Sequence, residues 1–439
     1  MMDMKENKYY LAIDLGASSG RHIIGWKENG EIKTKEIYRF ENHMDNENGH
    51  LVWDTERLFR EIKSGIKAAF LQYKNIESLA IDTWGVDYVL IRDGKSVSPC
   101  YAYRDSRTAG AIQEINSIIP FENMYKRTGI QFQEFNTVYQ LYADKTANRL
   151  EGVSTFLMMP EYFNYLLTGV VMKEYTNATT TGLVNCKTKK FDTYVIGGLG
   201  LPEQIFSSLH EAGTIVGKLK DDVATEVGGQ TVVKLCPSHD TASAFYAVDN
   251  EKDSALISSG TWAILGAKIE EANVSDEAVK CNFSNEGGVG NFRFLKNITG
   301  MWINVCLKKI FGRSFDEMTR LATESKFDGV FDVNDKEFSL PEKMDEKIAR
   351  WFESRNLDVP KTEGDLYRSA YRSMAMGYKK AVDELEKCEN RSFDKIYIVG
   401  GGANNKLVNE FTKEFTQKEI VAMPIEATAI GNIKSQTEI

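Results

Sequence analysis

The chain has 439 residues, 42% of them apolar and 27% charged, with a formal net charge of −9. That length exceeds one ordinary core and the composition is globular without a disorder signature, so two or three domains are expected. The negative balance disfavours a nucleic-acid or anionic-membrane partner, while leaving room for a local basic site that takes a small acidic substrate.

The opening stretch, MMDMKENKYYLAIDLG, has an apolar run far too short for a signal peptide or a membrane span. The next residues complete the block YYLAIDLGASSGRHIIGW, which reads as strand, turn and strand. Leu11, Ile13 and Leu15 alternate before a turn containing Gly16, Ser18, Ser19 and Gly20, and Ile23 and Ile24 follow it. A helix is predicted at 56–73, where Leu58, Phe59, Ile62, Ile66 and Phe70 recur at helical spacing. SLAIDTWGVDYVLI gives another strand, broken at Gly85, and this alternation of strands with helices argues for an α/β sheet.

CPSHDTASAF, residues 236–245, places His239 and Asp240 at the opening of a small-residue helix. An acid there is either a helix cap or a group that does chemistry. Near residue 250 the pattern restarts, because SALISSGTWAILG repeats the plan of strand, polar turn and strand. Two related lobes, 1–247 and 248–439, with a cleft between them are therefore expected. A long helix near 363–387 sets Leu366, Ala370, Met374, Tyr378, Val382 and Leu385 along one face. It leads into DKIYIVGGGANNKLVNEF, a strand, a triple glycine and another helix. The six cysteines include no C-x-x-C pair and the five histidines show no ligand spacing. Reduced thiols in the cytoplasm are expected, rather than a disulfide framework or a zinc site.

Three turns carry chemistry. DLGASSGR offers consecutive backbone N–H groups and two hydroxyls, a concave row of donors suited to a phosphate. Arg21 adds charge, and Asp14 can hold magnesium through water; an ordinary tight hairpin is the other reading. No Walker loop is present, and the third glycine of a dinucleotide fingerprint is missing. Thr261 in SSGTW either reaches a phosphate oxygen or bonds its own turn. The run Gly400 to Gly402 either lets a flat ligand approach the backbone or simply opens a helix.

Taken in order, LAIDLGASSGR, IDTWGVDYVL, AYRDSRT, GIQFQEFNTVYQL, PEYFNYLLTG, EYTNATTTGLVN, SHDTASA, SSGTW, NEGG and LKNITGMW resemble the FGGY carbohydrate kinases from about residue 9 to 433. The resemblance implies an α/β, two-lobed, actin-like (ribonuclease H-like) ATPase fold with a central interlobe cleft. It also implies transfer of the γ-phosphate of ATP to the 1-hydroxyl of a ketose, L-rhamnulose, with Mg2+ as second cofactor. In that family the first hairpin binds ATP phosphates, here Ala17, Ser18, Ser19, Gly20 and Arg21. Thr261 would reach the γ-phosphate, while Gly401 and Gly402 would lie against the adenosine.

The sugar would be held by Gly85, His239, Asp240, Thr241 and Asn297, with Asp240 as general base and Asp14 as the indirect ligand of Mg2+. The backbone dipoles at a helix start favour negative charge at Asp240. Trp84, Asp87, Tyr103, Arg104 and Asp105 are candidate pocket walls and hydroxyl partners, with core and surface packing as the other reading. The sequence departs from the family pattern in two places. Asn304 and Val305 stand where a glutamine is common, and the chain ends shortly after EATAIGNI, so a closing helix cut short or replaced is expected. Alternatives are a kinase for L-fuculose or xylulose, or a non-catalytic actin-like ATPase or sugar sensor. The expected protein is cytoplasmic, a monomer or small homo-oligomer, with ketose and ATP as partners and neither nucleic acid nor membrane.

Overall fold

The computed structural model describes residues 8–249, 253–423 and 426–439. By its contacts the chain divides into two compact units. The first takes Met1–Asp249, Ile269–Arg293 and Ala427–Ile439, and the second takes Asn250–Lys268 and Phe294–Glu426. Hydrophobic periodicity suggests one cut near residue 248, but the chain passes between units after Asp249, Lys268, Arg293 and Glu426. Periodicity reports local elements; which sheet a late segment joins depends on partners hundreds of residues away.

In the first unit the strands are β1 (Tyr9–Leu15), β2 (Ser19–Glu28), β3 (Glu31–Glu41), β4 (Ile76–Thr83), β5 (Ile215–Lys218) and β6 (Val232–Lys234), ordered β5-β6-β4-β1-β2-β3. β1 runs antiparallel to β2 and parallel to β4, which is parallel to β6. One face carries Leu11, Ile13, Leu79 and Ile81, packed with Leu58, Ile62 and Ile66 of helix α1 (Thr55–Gln72). α1 begins at Asp54, whose carboxylate accepts from Arg57 N. The opposite face carries Ala12 and Ile23 under Ala429 and Ile433 of the C-terminal helix, Ala427–Glu438. Both faces are covered, and small residues set how closely the cover approaches: a Cβ on Gly25 would lie 2.5 Å from Ile433 Cδ1. From sequence this final segment falls in the second lobe, yet its partners are in the first.

The strand expected to break at Gly85 ends at Thr83, and beyond the break Tyr88–Arg92 pairs with Lys95–Ser96 and Thr155–Met158 in a separate sheet. Between them Val86 adopts φ +68°, a left-handed conformation that a β-branched residue rarely takes. It is held there by Thr180, which accepts from Val86 N, and by Thr137, which donates to Val86 O. Past β6 the helix α2 runs from Asp240 to Ala247.

The second unit repeats the strand plan. β7 (Ser254–Ser259) and β8 (Trp262–Ile269) form an antiparallel hairpin, followed by β9 (Phe292–Thr299), helix α3 (Trp302–Phe311) and the long α4 (Glu363–Glu389). Then come β10 (Lys395–Val399), α5 (Lys406–Thr416) and β11 (Glu419–Met423), with the sheet running β9-β8-β7-β10-β11. β10 is parallel to β7 as β4 is parallel to β1. Among the described residues no helix is long and apolar enough to cross a membrane.

Candidate active site

The ends of the central strands in the first unit assemble a row of carboxylates. Register pairs Leu11 with Leu79, Ala12 with Ala80, Ile13 with Ile81 and Asp14 with Asp82, so the tetrapeptide LAID lies beside a second copy of itself. Side chains two apart share a face, and both aspartates therefore point to the side covered by the C-terminal helix. Arg21, opposite Asp14 on β2, contacts its Oδ2 at 2.5 Å. Asn432 of that helix donates to Asp82 Oδ2 at 2.6 Å, while Asp82 Oδ1 is buried with no hydrogen-bond partner. Burial, reinforced by Asp14 and Asp240, pushes the Asp82 carboxyl well above the usual range. Asp82 was not singled out from sequence; the repeated LAID was the signal available.

Thr83 at the end of β4 bridges His239 in parallel, which sets the start of α2 beside the row. The loop before it is fixed by Glu174, whose carboxylate accepts from Ser238 N at 3.1 Å and Ser238 Oγ at 2.6 Å. Thr83 N and Asn177 Nδ2 both donate to Ser238 O. His239 occupies the N-cap position and makes no side-chain cap bond, so Asp240 is the first residue inside the helix rather than its cap. The Asp240 carboxylate accepts from Thr241 N and from Thr241 Oγ1 at 2.9 Å. Its side chain is 32% exposed, unlike that of Asp14 or Asp82. The cap reading is thereby replaced: the acid is presented, oriented by its neighbour's hydroxyl. His239 is buried, with Nε2 3.4 Å from Asp240 Oδ1 and Nδ1 3.0 Å from Glu286 Oε2. Burial alone would push Glu286 up, but Arg293 and His239 beside it hold it down to about 2.

The first hairpin has the tight form expected. Gly16 N donates to Ser19 O at 2.8 Å, and Asn42 braces the loop through Nδ2 to Gly16 O and N to Ser18 O. A Cβ on Gly20 would lie 2.2 Å from the Phe40 ring, so glycine is required there by packing. Ala17 and Ser19 are half-buried and Ser18 is exposed. Carboxylate oxygens are the hard donors Mg2+ takes, and three acids beside the single Arg21 leave the row short of positive charge. The residues fit an ion held through water by Asp14. Among the described residues no cluster of three or more His, Cys, Asp or Glu is arranged to hold a metal directly.

Gly85 is half-buried next to Val86. Asp87, a candidate hydroxyl partner with packing as its other reading, is bonded internally. It accepts from Trp53 Nε1 at 2.7 Å, Trp84 Nε1 at 2.9 Å, Tyr103 N at 3.1 Å and Gln140 Nε2 at 3.1 Å, and burial pushes it up to about 6 against those four bonds. Asp105 likewise accepts from Leu51 N and Arg107 N and faces His50. Trp84 packs on Trp53 with ring centroids 4.3 Å apart, while Tyr103 and Arg104 remain accessible.

In the second unit the hairpin turn Gly260–Thr261 leaves Thr261 exposed, with Thr261 O accepting from Trp302 N at the start of α3. Gly400 has φ +82°, and a Cβ on Gly402 would lie 2.0 Å from Ser259 Oγ, so the triple glycine packs against the base of that hairpin. Gly401 is exposed and Gly402 buried, and both belong to a 3₁₀ turn leading to α5. Asn297 is exposed on β9. Asn304, on α3, is buried with neither side-chain polar atom hydrogen-bonded.

Two units with matching mixed sheets and hairpins at the strand ends define an actin-like ATPase fold, and solved kinases share it. A ligand-bound xylulose kinase from Lactobacillus acidophilus matches with a TM-score of 0.80 at 14% identity, over 98% of this chain and 89% of that one. Plasmodium falciparum glycerol kinase with ADP gives 0.76 at 14% identity over the same shares. The N-terminal domain of the FGGY family of carbohydrate kinases matches residues 9–246, and its C-terminal domain matches 255–437. The chain belongs to the FGGY family of carbohydrate kinases. A rhamnulokinase from Oceanobacillus iheyensis is 39% identical, covering 96% of this chain and 91% of the relative. One from Halalkalibacterium halodurans is 41% identical, covering 98% and 93%. Membership makes the chain a carbohydrate kinase that draws its phosphate from ATP.

Proposed function

We propose that the chain transfers the γ-phosphate of ATP to the 1-hydroxyl of L-rhamnulose, giving L-rhamnulose 1-phosphate. The sugar is supported by the relatives, rhamnulokinases at 36–41% identity along nearly the whole chain. The chemistry is carried by one observation: Asp240 is a partly exposed carboxylate at a helix start, oriented by Thr241 and backed by His239. Phosphoryl transfer needs positioning and charge neutralisation more than covalent help. Asp240 accepts the proton of the hydroxyl as its oxygen attacks the γ-phosphorus, a role worth about 10²–10⁴ in rate.

Ala17, Ser18, Ser19, Gly20 and Arg21 bind phosphate oxygens, Thr261 reaches the γ-phosphate, and Gly401 and Gly402 lie against the adenosine. Gly85, His239, Thr241 and Asn297 hold the sugar. When bound, Mg2+ neutralises charge on the β- and γ-phosphates, and Asp14 holds it through water. A monomer or small homo-oligomer in a reducing cytoplasm is the setting that six thiols suit.

The test is ADP release against a panel of free ketoses, with the wild type and Asp240→Asn. The wild type should turn over L-rhamnulose faster than L-fuculose or xylulose, and the variant should lose turnover while binding ATP nearly as before. Near-normal turnover by the variant sinks the base; hydrolysis indifferent to any ketose favours a sugar-independent ATPase.

A further inference from the structure

Behind Asp240 the first unit holds three titratable side chains in mutual contact: His239, Glu286 and Arg293. Burying an ion pair is costly unless its hydrogen bonds are satisfied, and this pair is built around an imidazole that opens on the proposed base. Arg293 is fully buried and donates through Nη2 to Glu286 Oε2 and through Nε to Gly287 O, both at 2.9 Å. His239 Nδ1 lies 3.0 Å from the same Oε2 and 3.3 Å from Arg293 Nη2. A carboxylate oxygen only accepts, so the 3.0 Å contact with Oε2 is a hydrogen bond only when the ring carries its proton on Nδ1, and in that tautomer Nδ1 and Arg293 Nη2, 3.3 Å apart, both donate to Oε2. With its proton on Nδ1 the neutral ring presents a lone pair at Nε2, 3.4 Å from Asp240 Oδ1. Two acceptors facing each other make a place for one proton.

We propose that Glu286, clamped by Arg293, fixes His239 with Nε2 towards Asp240, and that this nitrogen takes over the proton which Asp240 removes from the sugar hydroxyl. This rests on the reading of Asp240 as base. The hydroxyl O–H bond breaks as the oxygen bonds phosphorus, and the proton passes to Asp240. The new carboxyl O–H bond then breaks as N–H forms at Nε2, leaving an imidazolium between two carboxylates; it returns the proton to water after the product leaves. The base is ionised again without waiting for solvent to reach it. The charged groups facing the ring are Asp240 on its own helix, Glu286 from the strand Ser284–Gly287 and Arg293 at the start of β9; Glu174, before the helix Tyr175–Thr179, holds the preceding residue Ser238. Glu174 is occupied by Ser238 and Thr176. Glu286 and Arg293 are positioning residues, since neither touches the reacting atoms.

The experiment measures kcat and KM against pH for the wild type, Glu286→Gln, Glu286→Asp and Asp240→Asn, with ATP and L-rhamnulose. Glu286→Gln should lower kcat by about 10²-fold with the ketose KM nearly unchanged. It should also displace the acid limb of the kcat profile, and Glu286→Asp should recover part of both. A folded Glu286→Gln with wild-type kcat and profile overturns the proposal. Should these variants fail to fold, 15N spectra of the wild-type histidines decide: the neutral His239 ring protonated at Nδ1 supports it, and one protonated at Nε2 overturns it. Turnover by Asp240→Asn rejects the base and the relay together, whereas a dead Asp240→Asn beside a normal Glu286→Gln rejects the relay alone.

Discussion

Two buried residues of the first unit meet acid at different points. His22 is fully buried with Nε2 3.1 Å from Ile62 O; burial pushes its pKa down to about 4, and the Ile62 carbonyl opposes this only in part. Between about 6.5 and 4 the unfolded chain binds the proton that the folded ring refuses. That contribution is present above 6.5 and is lost as pH falls through this window. Glu286, held at about 2, contributes stability above its unfolded value near 4.5 and loses it as pH falls towards 2. Each window is worth about 3 kcal/mol. Asp87, raised to about 6, pulls the other way over part of the upper window in any variant that keeps it, so the readout is the difference between proteins: as pH falls from 6.5 to 4 the urea midpoint of the wild type should drop relative to that of His22→Phe. A difference that stays constant over that range would contradict the burial of a neutral His22. At neutral pH Glu286→Gln should be the less stable protein, because it leaves Arg293 buried and unpaired.

Between elements the decisive contact is the C-terminal helix on α2. A Cβ on Gly431 would lie 1.8 Å from Ser243 O, a backbone atom that cannot step aside cheaply. Replacing a helical glycine by alanine ordinarily gains about 1 kcal/mol, yet overpacking of this kind costs about 1–3 kcal/mol or more. Gly431→Ala should lower the melting temperature and, by shifting the helix that carries Asp240, lower kcat as well. A rise in both would refute the contact. Gly65 on α1 makes the same argument against the His22 ring, where a Cβ would come within 2.3 Å, and Gly65→Ala should destabilise too.

The helices α1 and α4 and both hairpins were legible because apolar residues repeat at the periods of helix and strand. The helix Ala427–Glu438 was not read from the sequence, where the resemblance led only to the expectation of a closing helix cut short or replaced. Its buried positions include Asn432, Ser435 and Gln436, which form no apolar stripe. Asn432 and Gln436 instead satisfy Asp82, Ala80 O, Ser78 and Leu11 O across the sheet, while Ser435 donates back to Asn432 O. Of the proposed site, local chemistry singled out Asp240 as a cap or a chemical group and the glycine turns as phosphate or packing turns, and the resemblance supplied their roles. For Asp87 the two readings, hydroxyl partner and packing, stayed open in the sequence because the four internal donors that converge on it come from segments that sequence does not bring together.

Across the whole molecule all six cysteines are thiols, with Cys100, Cys186, Cys236 and Cys306 buried and Cys281 and Cys388 half-buried. Burial also pushes the Cys100 and Cys236 thiols up, away from the reactive thiolate. A chromogenic disulfide reagent should titrate six thiols in denaturant. In the native protein Cys281 and Cys388 should react first, and the other four at the pace of unfolding. Fewer than six in denaturant would show a disulfide.

The placement of residues 427–439 in the first unit also sets an order of events during synthesis. β1 and β4 leave the ribosome early, but the cover over Ala12 and Ile23, and the amide that meets Asp82, are translated only after the whole second unit. Until then the sheet that bears the carboxylate row has one apolar face open, and a nascent chain stalled before Ala427 carries an exposed face that invites association with other chains. A chain ending at Glu426 should accordingly aggregate, and a synthetic peptide of residues 427–439 added during refolding should return it to solution.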